Sequence, residues 1–289
     1  MDNILEIQGL CKSYKDFALK DVSFALPKGY IMGFVGQNGS GKTTTIRSIL
    51  DMANMDSGKI SVFGLDSVAD SRAIKERTGV VFDSLYFAEH LNVKEIESQL
   101  KCFYADWDSE EFFRRIKGFD LPLKKKVGAF SKGMKMKLMV AAALSHKAEL
   151  LILDEPTSGL DPVARDELLD ILAEYIQDEN RGVLFSTHIT ADVERIADYV
   201  TVMRNGSVWF TGTKDDLLEK YVIIKGGEED VTDEIKNNSI GFHMYKNGFD
   251  ALMDTEYAST LPKEIEYEKA TLDEMLVYIA KEDNNERNS

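Results

Sequence analysis

The sequence predicts an α/β protein whose core is a mostly parallel sheet covered by helices. Three short apolar runs, at residues 31–35, 150–153 and 183–186, have the length and composition of strands that are buried on both faces. Segments with a helical pattern separate these runs, and this alternation is typical of a parallel sheet. A glycine-rich segment follows the first run directly, and two acidic residues follow the second.

Strands also precede the first buried run, because apolar and polar side chains alternate at residues 3–8 and 22–26. They predict an N-terminal antiparallel β subdomain. Helical patterns cover three further segments, at residues 44–50, 86–146 and 163–176. The long middle segment predicts a helical subdomain at about residues 84–146.

The C-terminal part of the chain differs in composition from the rest. Residues 200–210 predict a hairpin with Asn205-Gly206 as its turn. Soon afterwards a strand-like run leads into an acidic stretch. We therefore predict a main domain at residues 1–220 and a small acidic C-terminal extension at residues 221–289.

Composition limits the compartment and the class of protein. Hydrophobic residues make up 44% of the 289 residues, which is enough for a sizeable core. No apolar run approaches the ~20 residues that cross a bilayer, so we expect no direct insertion into lipid. The N-terminus has no basic region or cleavage signal, so the chain is expected to be cytoplasmic unless a partner holds it at a membrane. Cys11 and Cys102 lack metal-like spacing and are expected to be reduced, structural thiols.

The charge of the chain is strongly negative and unevenly spread. The formal net charge is −15, and residues 226–289 contain 16 Asp and Glu against 6 Lys and Arg. Nucleic-acid partners require a positive field around the phosphate backbone, so this balance counts against direct binding of nucleic acid. The acidic tail is interpreted as a solubilising surface.

The glycine-rich segment GQNGSGKT matches the phosphate-binding loop pattern G-x-x-x-x-G-K-[ST]. Its backbone N–H groups, aided by the positive end of the following helix, can wrap phosphates. Lys42 places a cation on the β- and γ-phosphates, and the Thr43 hydroxyl can coordinate Mg²⁺. An ordinary glycine-rich turn is the weaker interpretation, given the strand before it and the helix after it. The candidate nucleotide-binding residues of this segment are Gly36, Gln37, Asn38, Gly39, Ser40, Gly41, Lys42, Thr43 and Thr44.

Asp154 and Glu155 follow the second buried run and suggest what happens to the phosphate. Asp154 stands where a metal-holding carboxylate is needed, and Glu155 can accept a proton from an attacking water. Two adjacent carboxylates at the end of a buried strand indicate hydrolysis rather than transfer to a small molecule. Taken alone, the Asp-Glu-Pro sequence is also compatible with a simple turn.

The stretch LLILDEPTSGLD at residues 150–161 resembles, almost letter for letter, the Walker B motif and D-loop of ABC transporter nucleotide-binding subunits. The resemblance covers about residues 3–220 and implies a RecA-like P-loop core with a helical signature subdomain. It implies that His188 contacts the γ-phosphate and that Asp161 of the D-loop belongs to the nucleotide site. It also implies that Tyr14 stacks on adenine. A capping histidine and an ordinary strand-end tyrosine are the alternatives.

Two family motifs are altered in this sequence. The signature LSGGQ is represented by FSKGM, which keeps Ser131 and Gly133 but departs from the pattern at Lys132 and Met134. In the family the serine hydroxyl and the glycine N–H reach the γ-phosphate of the opposite subunit's ATP, and the resemblance implies the same here. Asp83 takes the position of the Q-loop glutamine, where a carboxylate can ligate Mg²⁺. A solvated loop acid is the alternative for Asp83.

The resemblance also implies the assembly. Each motif occurs once, so two ATP molecules would lie between two chains, in a homodimer or in a heterodimer with a similar ATPase subunit. ATP and Mg²⁺ are the implied ligands. Integral membrane permease subunits are the implied partners, which would place the chain on the inner face of the cell membrane. The chain is similar to exporter subunits for drugs or peptides, although its sequence cannot name the cargo.

Two other functions are weighed against this interpretation. Soluble ABC-type ATPases that act on nucleic acid or ribosomes usually carry two motif sets, a long coiled coil or zinc-binding cysteines, and this sequence has none of them. A P-loop kinase or GTPase lacks the S-x-G signature, the LDEP sequence that follows it, and a histidine that contacts the γ-phosphate, as is implied for His188. We therefore predict an ATPase whose hydrolysis drives transmembrane transport.

Overall fold

The computed structural model describes residues 2–262 and 265–288. The chain divides into two compact units, Met1–Trp209 and Phe210–Ser289. The predicted domain boundary lies after residue 220, and the assignment of separate roles to the two parts stays a prediction. No helix among the described residues is long and apolar enough to cross a bilayer.

The first unit, with the strand that leaves it, follows the predicted alternation of strands and helices. In chain order its elements are β1 (Asn3–Ser13), β2 (Ala18–Pro27), β3 (Ile31–Gly36), α1 (Lys42–Ile49), β4 (Ser57–Val62), β5 (Leu65–Asp66), α2 (Ser71–Glu76), β6 (Thr78–Val81), α3 (Val93–Phe103), α4 (Ser109–Gly118), α5 (Lys132–Leu144), β7 (Leu150–Asp154), α6 (Pro162–Tyr175), β8 (Gly182–Thr187), α7 (Thr190–Ile196), β9 (Tyr199–Arg204) and β10 (Ser207–Thr213).

The central sheet has six strands in the order β10-β9-β3-β8-β7-β6. Its pairs β9–β3, β3–β8, β8–β7 and β7–β6 are all parallel. Strands β3, β7 and β8 are buried at every residue, as expected for strands covered by helices on both faces. The prediction of a mostly parallel, helix-covered sheet is thereby confirmed.

The N-terminal strands form a separate antiparallel sheet in the order β2-β1-β4-β5. Leu5 and Ile7 of β1 are buried while Glu6 and Gln8 are not, in agreement with the period of two in the sequence, and Ile4 on the other face is also buried. The strands β4 and β5 were not predicted. The buried residues of this sheet join Phe34 and Ile46 in one hydrophobic cluster, so the antiparallel sheet is part of the same core.

Helices α3, α4 and α5 form the predicted helical subdomain around a small core of their own. Val93, Ile96, Phe112 and Leu138 are all fully buried in this cluster. Asn92 caps α3 by accepting from the backbone N–H of the third helical residue, whose side chain bonds back to the Asn92 N–H. Local capping and a separate core therefore define the segment that carries the signature motif.

The second unit is a small α+β structure. Its elements after β10 are α8 (Lys214–Lys220), β11 (Tyr221–Gly226), α9 (Asp233–Asn237), β12 (Ser239–Tyr245), β13 (Gly248–Asp254), α10 (Thr255–Ala258), β14 (Glu266–Lys269) and α11 (Leu272–Asn288). The strands form an antiparallel sheet in the order β12-β13-β11-β14. Val222, Ile224, Phe249 and Met253 are buried in its core. The strand predicted near residue 221 is therefore confirmed as part of an independent core.

Candidate functional site

Four strands of the central sheet end side by side. Val35 of β3 pairs with Thr187 of β8, and the last residue of β7 pairs with the neighbouring residue of β8. Strand β6 continues the row, because Val81 pairs with Leu153 of β7. The loops that follow β3, β6, β7 and β8 therefore leave the sheet at one edge, which is where parallel α/β sheets bind ligands.

The glycine-rich loop connects β3 to α1 and closes around a lysine. Lys42 is the first residue of α1 and is buried, and its Nζ donates to the carbonyl oxygens of Gly36 at 2.7 Å and Gln37 at 3.3 Å. Gly41 precedes the helix at φ +113°, and a Cβ there would lie 2.6 Å from a methyl carbon of Leu19. Only glycine satisfies both constraints without strain, so the loop conformation depends on the residue type that the motif specifies.

A pocket of about 210 Å³ opens in front of this loop. It is lined by Phe17, Gln37, Asn38, Gly39, Gly41, Lys42, Thr43, Thr44 and Glu155. Next to it the buried Ser40 hydroxyl has no hydrogen-bond partner in the part of the chain that is described. An open glycine-rich wall with a buried cation and an unpaired hydroxyl is suited to an anionic ligand.

The aromatic residue that lines the pocket is Phe17, which the sequence argument overlooked. Phe17 and Tyr14 lie in the same turn between β1 and β2, where the Tyr14 N–H donates to the Phe17 carbonyl at 2.7 Å. Tyr14 is 50% exposed, and the Lys12 ammonium lies 5.5 Å from its ring centre. The signal in the sequence was a second aromatic three residues after the first. Both rings belong to one turn beside the loop.

Glu155 joins the loop to the end of β8. Its Oε1 lies 3.3 Å from Lys42 Nζ, and its Oε2 lies 2.6 Å from Nδ1 of His188. Its backbone N–H donates to the Ser186 carbonyl, and its φ is +52°, an uncommon value for a residue with a side chain. Lys42 is almost fully buried while His188 is half exposed, so the three groups run from the interior to the surface. The structure thus brings together three residues that the sequence proposed from three motifs.

Asp154 lies beside this group and is buried. Its Oδ1 accepts a hydrogen bond from the Ser186 hydroxyl at 2.7 Å, which fixes the carboxylate at the end of β7. Thr43, at the start of α1, lines the pocket. A carboxylate and a hydroxyl are oxygen donors of the kind that Mg²⁺ prefers, so the residues present fit a magnesium ion.

Asp83 is exposed and follows β6 at the same edge of the sheet. Its Oδ1 accepts from the ammonium of Lys132 at 2.7 Å, so its observed partner is a residue of the altered signature. This pairing was not foreseen, because sequence spacing alone does not show which side chains of two motifs will meet.

Ser131, Gly133 and Asp161 lie on α5 and at the start of α6, outside the lining of the pocket at Lys42. Ser131 caps α5, and its hydroxyl oxygen accepts from the Met134 N–H at 3.2 Å. Within residues 2–262 and 265–288 this hydroxyl donates no hydrogen bond, so its proton remains available to another group. Asp161 caps α6 in the same way. These residues therefore form a second candidate surface, separate in one chain from the glycine-rich loop.

A buried ion pair ties together the helices that follow Asp161 and His188. Arg165 of α6 donates through Nε to Oδ1 of Asp192 in α7, and Asp192 is completely buried. On the outer side of the same helices Arg195 pairs with exposed acids of α6. The sequence argument missed Asp192, since a single acid on a short helix carries no motif.

The chain matches two protein-family models. The model described as "ABC transporter" matches residues 19–158, which include the glycine-rich loop, Asp83, Ser131 and Glu155. A second model, described as "AAA domain, putative AbiEii toxin, Type IV TA system", matches residues 126–191.

Curated relatives match over most of their length. The bacitracin transport ATP-binding protein BcrA of Bacillus licheniformis is 34% identical over 212 residues, which cover 72% of this chain and 69% of that protein. The ABC transporter ATP-binding protein NatA of Bacillus subtilis is 34% identical and is covered over 84% of its length by 70% of this chain. The linearmycin resistance ATP-binding protein LnrL of Bacillus subtilis is 32% identical, with 75% of this chain and 71% of that protein covered.

Solved structures show the same fold. A structure described as the ATP-binding subunit of an ABC transporter superimposes with a TM-score of 0.68 at 32% identity, over 74% of this chain and 91% of that one. CbiO1 from Clostridium perfringens, described as part of the ABC transporter complex cbiONQ, superimposes with a TM-score of 0.64 at 24% identity, over 75% of this chain and 91% of that one.

Proposed function

This chain belongs to the ABC transporter family as an ATP-binding subunit, an ATPase coupled to transport, and we propose that its residues divide the work of hydrolysis as follows. The observation that carries the proposal is the row Lys42, Glu155 and His188, with contacts of 3.3 Å and 2.6 Å at the carboxyl edge of the sheet. Lys42 thus supplies a cation for the phosphates, Glu155 a carboxylate for the water and His188 a polar ring, and the three side chains are in contact.

The glycine-rich loop binds the phosphates of ATP in this proposal. Its backbone N–H groups and Lys42 surround the β- and γ-phosphates, at the positive end of α1. The buried Ser40 hydroxyl, which has no partner within the described residues, gains one from the ligand. Tyr14 and Phe17 offer ring faces for the adenine base, a contact that tolerates different purines.

Glu155 acts as the base that accepts a proton from the attacking water. Its Oε1 is shared with Lys42 and its Oε2 contacts His188. A γ-phosphate that draws Lys42 Nζ toward itself leaves Oε1 free to accept that proton, while His188 keeps the carboxylate oriented and reaches the γ-phosphate. General-base assistance of this kind contributes about 10²–10⁴ in rate.

Mg²⁺ fits the oxygen donors at the site. Thr43 and the buried Asp154 would hold it, with Asp83 at the neighbouring strand end as a third candidate. When bound, the ion neutralises charge on the β- and γ-phosphates. Ser186 restrains the Asp154 carboxylate through its 2.7 Å hydrogen bond, so this carboxylate is already oriented in the protein without the ion.

Two chains complete each ATP site. Ser131, Gly133 and Asp161 lie outside the pocket around Lys42 in one chain, so they serve the nucleotide of a second chain placed head to tail. The free proton of the Ser131 hydroxyl and the Gly133 N–H then face the γ-phosphate. The second chain is another copy of this protein or a similar ATPase subunit.

Permease subunits bind the helical side of the first unit. Between α2 and α3 lies a wide groove that includes the exposed ring of Phe103 together with Tyr104, Leu100, Arg72, Lys75 and Glu76. An apolar floor with a charged rim, in which Arg72 pairs with Glu76, suits an amphipathic loop of a membrane protein. Docking there would place the chain on the inner face of the cell membrane.

The proposed direction and cargo are supported by the names of relatives. Two of them are named for bacitracin transport and for linearmycin resistance. We propose that this chain powers export of a drug or an amphipathic peptide through its permease.

Replacing Glu155 by Gln tests the assignment of the base. The change keeps the shape and removes the proton acceptor, so steady-state ATP hydrolysis should fall by about 10² or more while ATP still binds. Because the bound ATP is no longer consumed, the variant should accumulate as an ATP-bound dimer in size-exclusion chromatography with light scattering.

Glu149 provides a matched control, because it flanks the opposite end of the same strand, β7. It precedes β7 at the opposite edge of the sheet, where it pairs with Arg77 at 2.6 Å, far from the loops of the site. Glu149→Gln should therefore hydrolyse ATP like the wild type. Normal hydrolysis by Glu155→Gln would contradict the proposed mechanism.

A further inference from the structure

The two altered motifs of this sequence meet in the structure. Asp83, which the motif resemblance aligns with the Q-loop glutamine, accepts at 2.7 Å from Lys132, which it aligns with a glycine of the signature. The pair joins the loop after β6 to the first residue of α5. The two positions at which this sequence departs from the motifs are therefore joined by one ion pair.

Lys132 also lies over a third segment of the site. A Cβ placed on Gly159 would be 3.3 Å from Lys132 Nζ and 3.4 Å from its Cδ. Gly159 has a φ of +67° and stands between β7 and α6, two residues before Asp161. The lysine side chain thus packs against the loop of Asp161 while its ammonium bonds to Asp83.

Lys132 lies between the two retained residues of the signature. Ser131 immediately before it caps α5, and Gly133 immediately after it lies next to α6, where an added Cβ would be in ordinary contact with Ala164 Cβ at 3.6 Å. Because Lys132 stands between Ser131 and Gly133, contacts that hold its side chain also hold the turn that carries both residues.

We propose that Lys132 and Asp83 are positioning residues that orient the Ser131–Gly133 turn toward the ATP of a second chain. The inference rests on the proposed shared site. It adds a physical link from the loop after β6 to the surface that closes on the partner's nucleotide. Phe82 and Tyr86 of that loop line a cavity with Leu100 and Tyr104, which also line the proposed permease groove. Movement of that loop would reach the turn through the Asp83–Lys132 pair.

The exposure of the Asp83–Lys132 ion pair limits the free energy that it can contribute. The side chains of Asp83 and Lys132 are 54% and 42% exposed, so the pair contributes little to global stability. A contribution of this size is enough to bias the orientation of one turn about two- to five-fold. A two-site dimer contains the pair twice, so its loss should weaken ATP-driven dimerisation about four- to twenty-five-fold.

The test measures dimerisation separately from ATP binding. In the Glu155→Gln background, Lys132→Met should raise the dimer dissociation constant in saturating ATP about four- to twenty-five-fold, measured by analytical ultracentrifugation. The affinity of the dilute monomer for a fluorescent ATP analogue should stay the same, because Lys132 lies outside the pocket at Lys42. Lys132→Arg, which keeps the charge, should restore most of the dimerisation.

Lys135 supplies the matched control, since it lies one turn further along α5 than Lys132 and pairs at 3.6 Å with Glu89 of the same loop after β6. Lys135→Met should dimerise like the parent. In an Asp83→Asn background the effect of Lys132→Met should vanish, because its partner is gone. Dimerisation of Lys132→Met equal to that of the parent, or an equal loss in the Asp83→Asn background, would overturn the inference. A Glu155→Gln parent that fails to dimerise with ATP would overturn the proposed shared site itself, and the inference with it.

Discussion

Replacing Arg165 by Leu removes the cation that accompanies the buried Asp192. Asp192 is fully buried, and its Oδ2 has no hydrogen-bond partner within the described residues. Leucine occupies part of the arginine volume without a charge, so the variant leaves an uncompensated carboxylate between α6 and α7. Breaking a buried pair in this way costs about 3–5 kcal/mol. Because the Arg165 side chain is 30% exposed, water can reach the pair, and we expect a loss of about 3 kcal/mol in the free energy of unfolding.

Arg195→Leu is the matched control, because it removes a second cation that joins the same two helices. Its partners Asp166 and Asp170 are 60% and 67% exposed, so the expected loss is only about 0–1 kcal/mol. Thermal unfolding followed by circular dichroism separates the two outcomes. A loss of about 3 kcal/mol corresponds to a decrease of about 6–12 °C in Tm for a unit of this size.

A double variant shows whether the buried charge is the cause. Asp192→Asn removes that charge, so Arg165→Leu/Asp192→Asn should recover part of the stability that Arg165→Leu loses. Because α7 follows His188, the single variant should also lower ATP hydrolysis. The reasoning is refuted if Arg165→Leu and Arg195→Leu unfold at the same temperature.

Two further predictions concern pH and nucleotide binding. Burial lowers the pKa of the His146 imidazole, whose ring stacks on Tyr104 at 4.0 Å, so the folded protein binds fewer protons than the unfolded chain. Stability should therefore be full above the unfolded pKa of 6.5 and decrease as the pH falls toward the lower folded value, by at most about 1.4 kcal/mol per pH unit. Urea unfolding at pH 7 and at pH 5 measures this decrease. The free energy of unfolding of His146→Phe should decrease less between the two pH values than that of the wild type. Equal decreases would show that His146 is not the cause. Lys42→Ala should weaken binding of a fluorescent ATP analogue to the monomer, whereas Ser131→Ala should not, because its proposed phosphate belongs to another chain; equal weakening would contradict the shared site.

Much of the fold could be predicted because its signals are local. The buried strands are short apolar runs, and α1 follows from the glycine-rich loop that must precede it. The hairpin at Asn205-Gly206 was predicted from a turn pair, and both residues indeed have positive φ values of 47° and 83°. Strands such as β4, β12 and β14 were missed. They are exposed on one face or at an edge, so their pattern is weak.

The candidate site was only partly predictable. Lys42, Glu155 and His188 lie in contiguous motifs at strand ends, and parallel register brings strand ends together whatever the intervening sequence. Their mutual distances, and the positive φ of Glu155, depend on tertiary packing. Their catalytic roles stay predictions.

Contacts between motifs could not be predicted from a single sequence. Lys132 and Asp83 were each recognised as departures, yet nothing in their spacing showed that one would pair with the other. Arg165 and Asp192 lie on helices that meet only after the chain has crossed β8. Long-range side-chain partners follow from packing geometry, which local patterns do not encode.

The central claim is that each ATP is held by the phosphate loop of one chain and the signature turn of another. Lys42→Ala and Ser131→Ala should each be inactive alone, in conditions where the wild-type chain hydrolyses ATP by itself. Mixing them creates dimers in which one site combines an intact Lys42 with an intact Ser131, so about a quarter of all sites become complete. The account predicts that ATPase activity returns on mixing, toward about a quarter of the wild-type rate. Activity no greater than the sum of the two separate variants would contradict it.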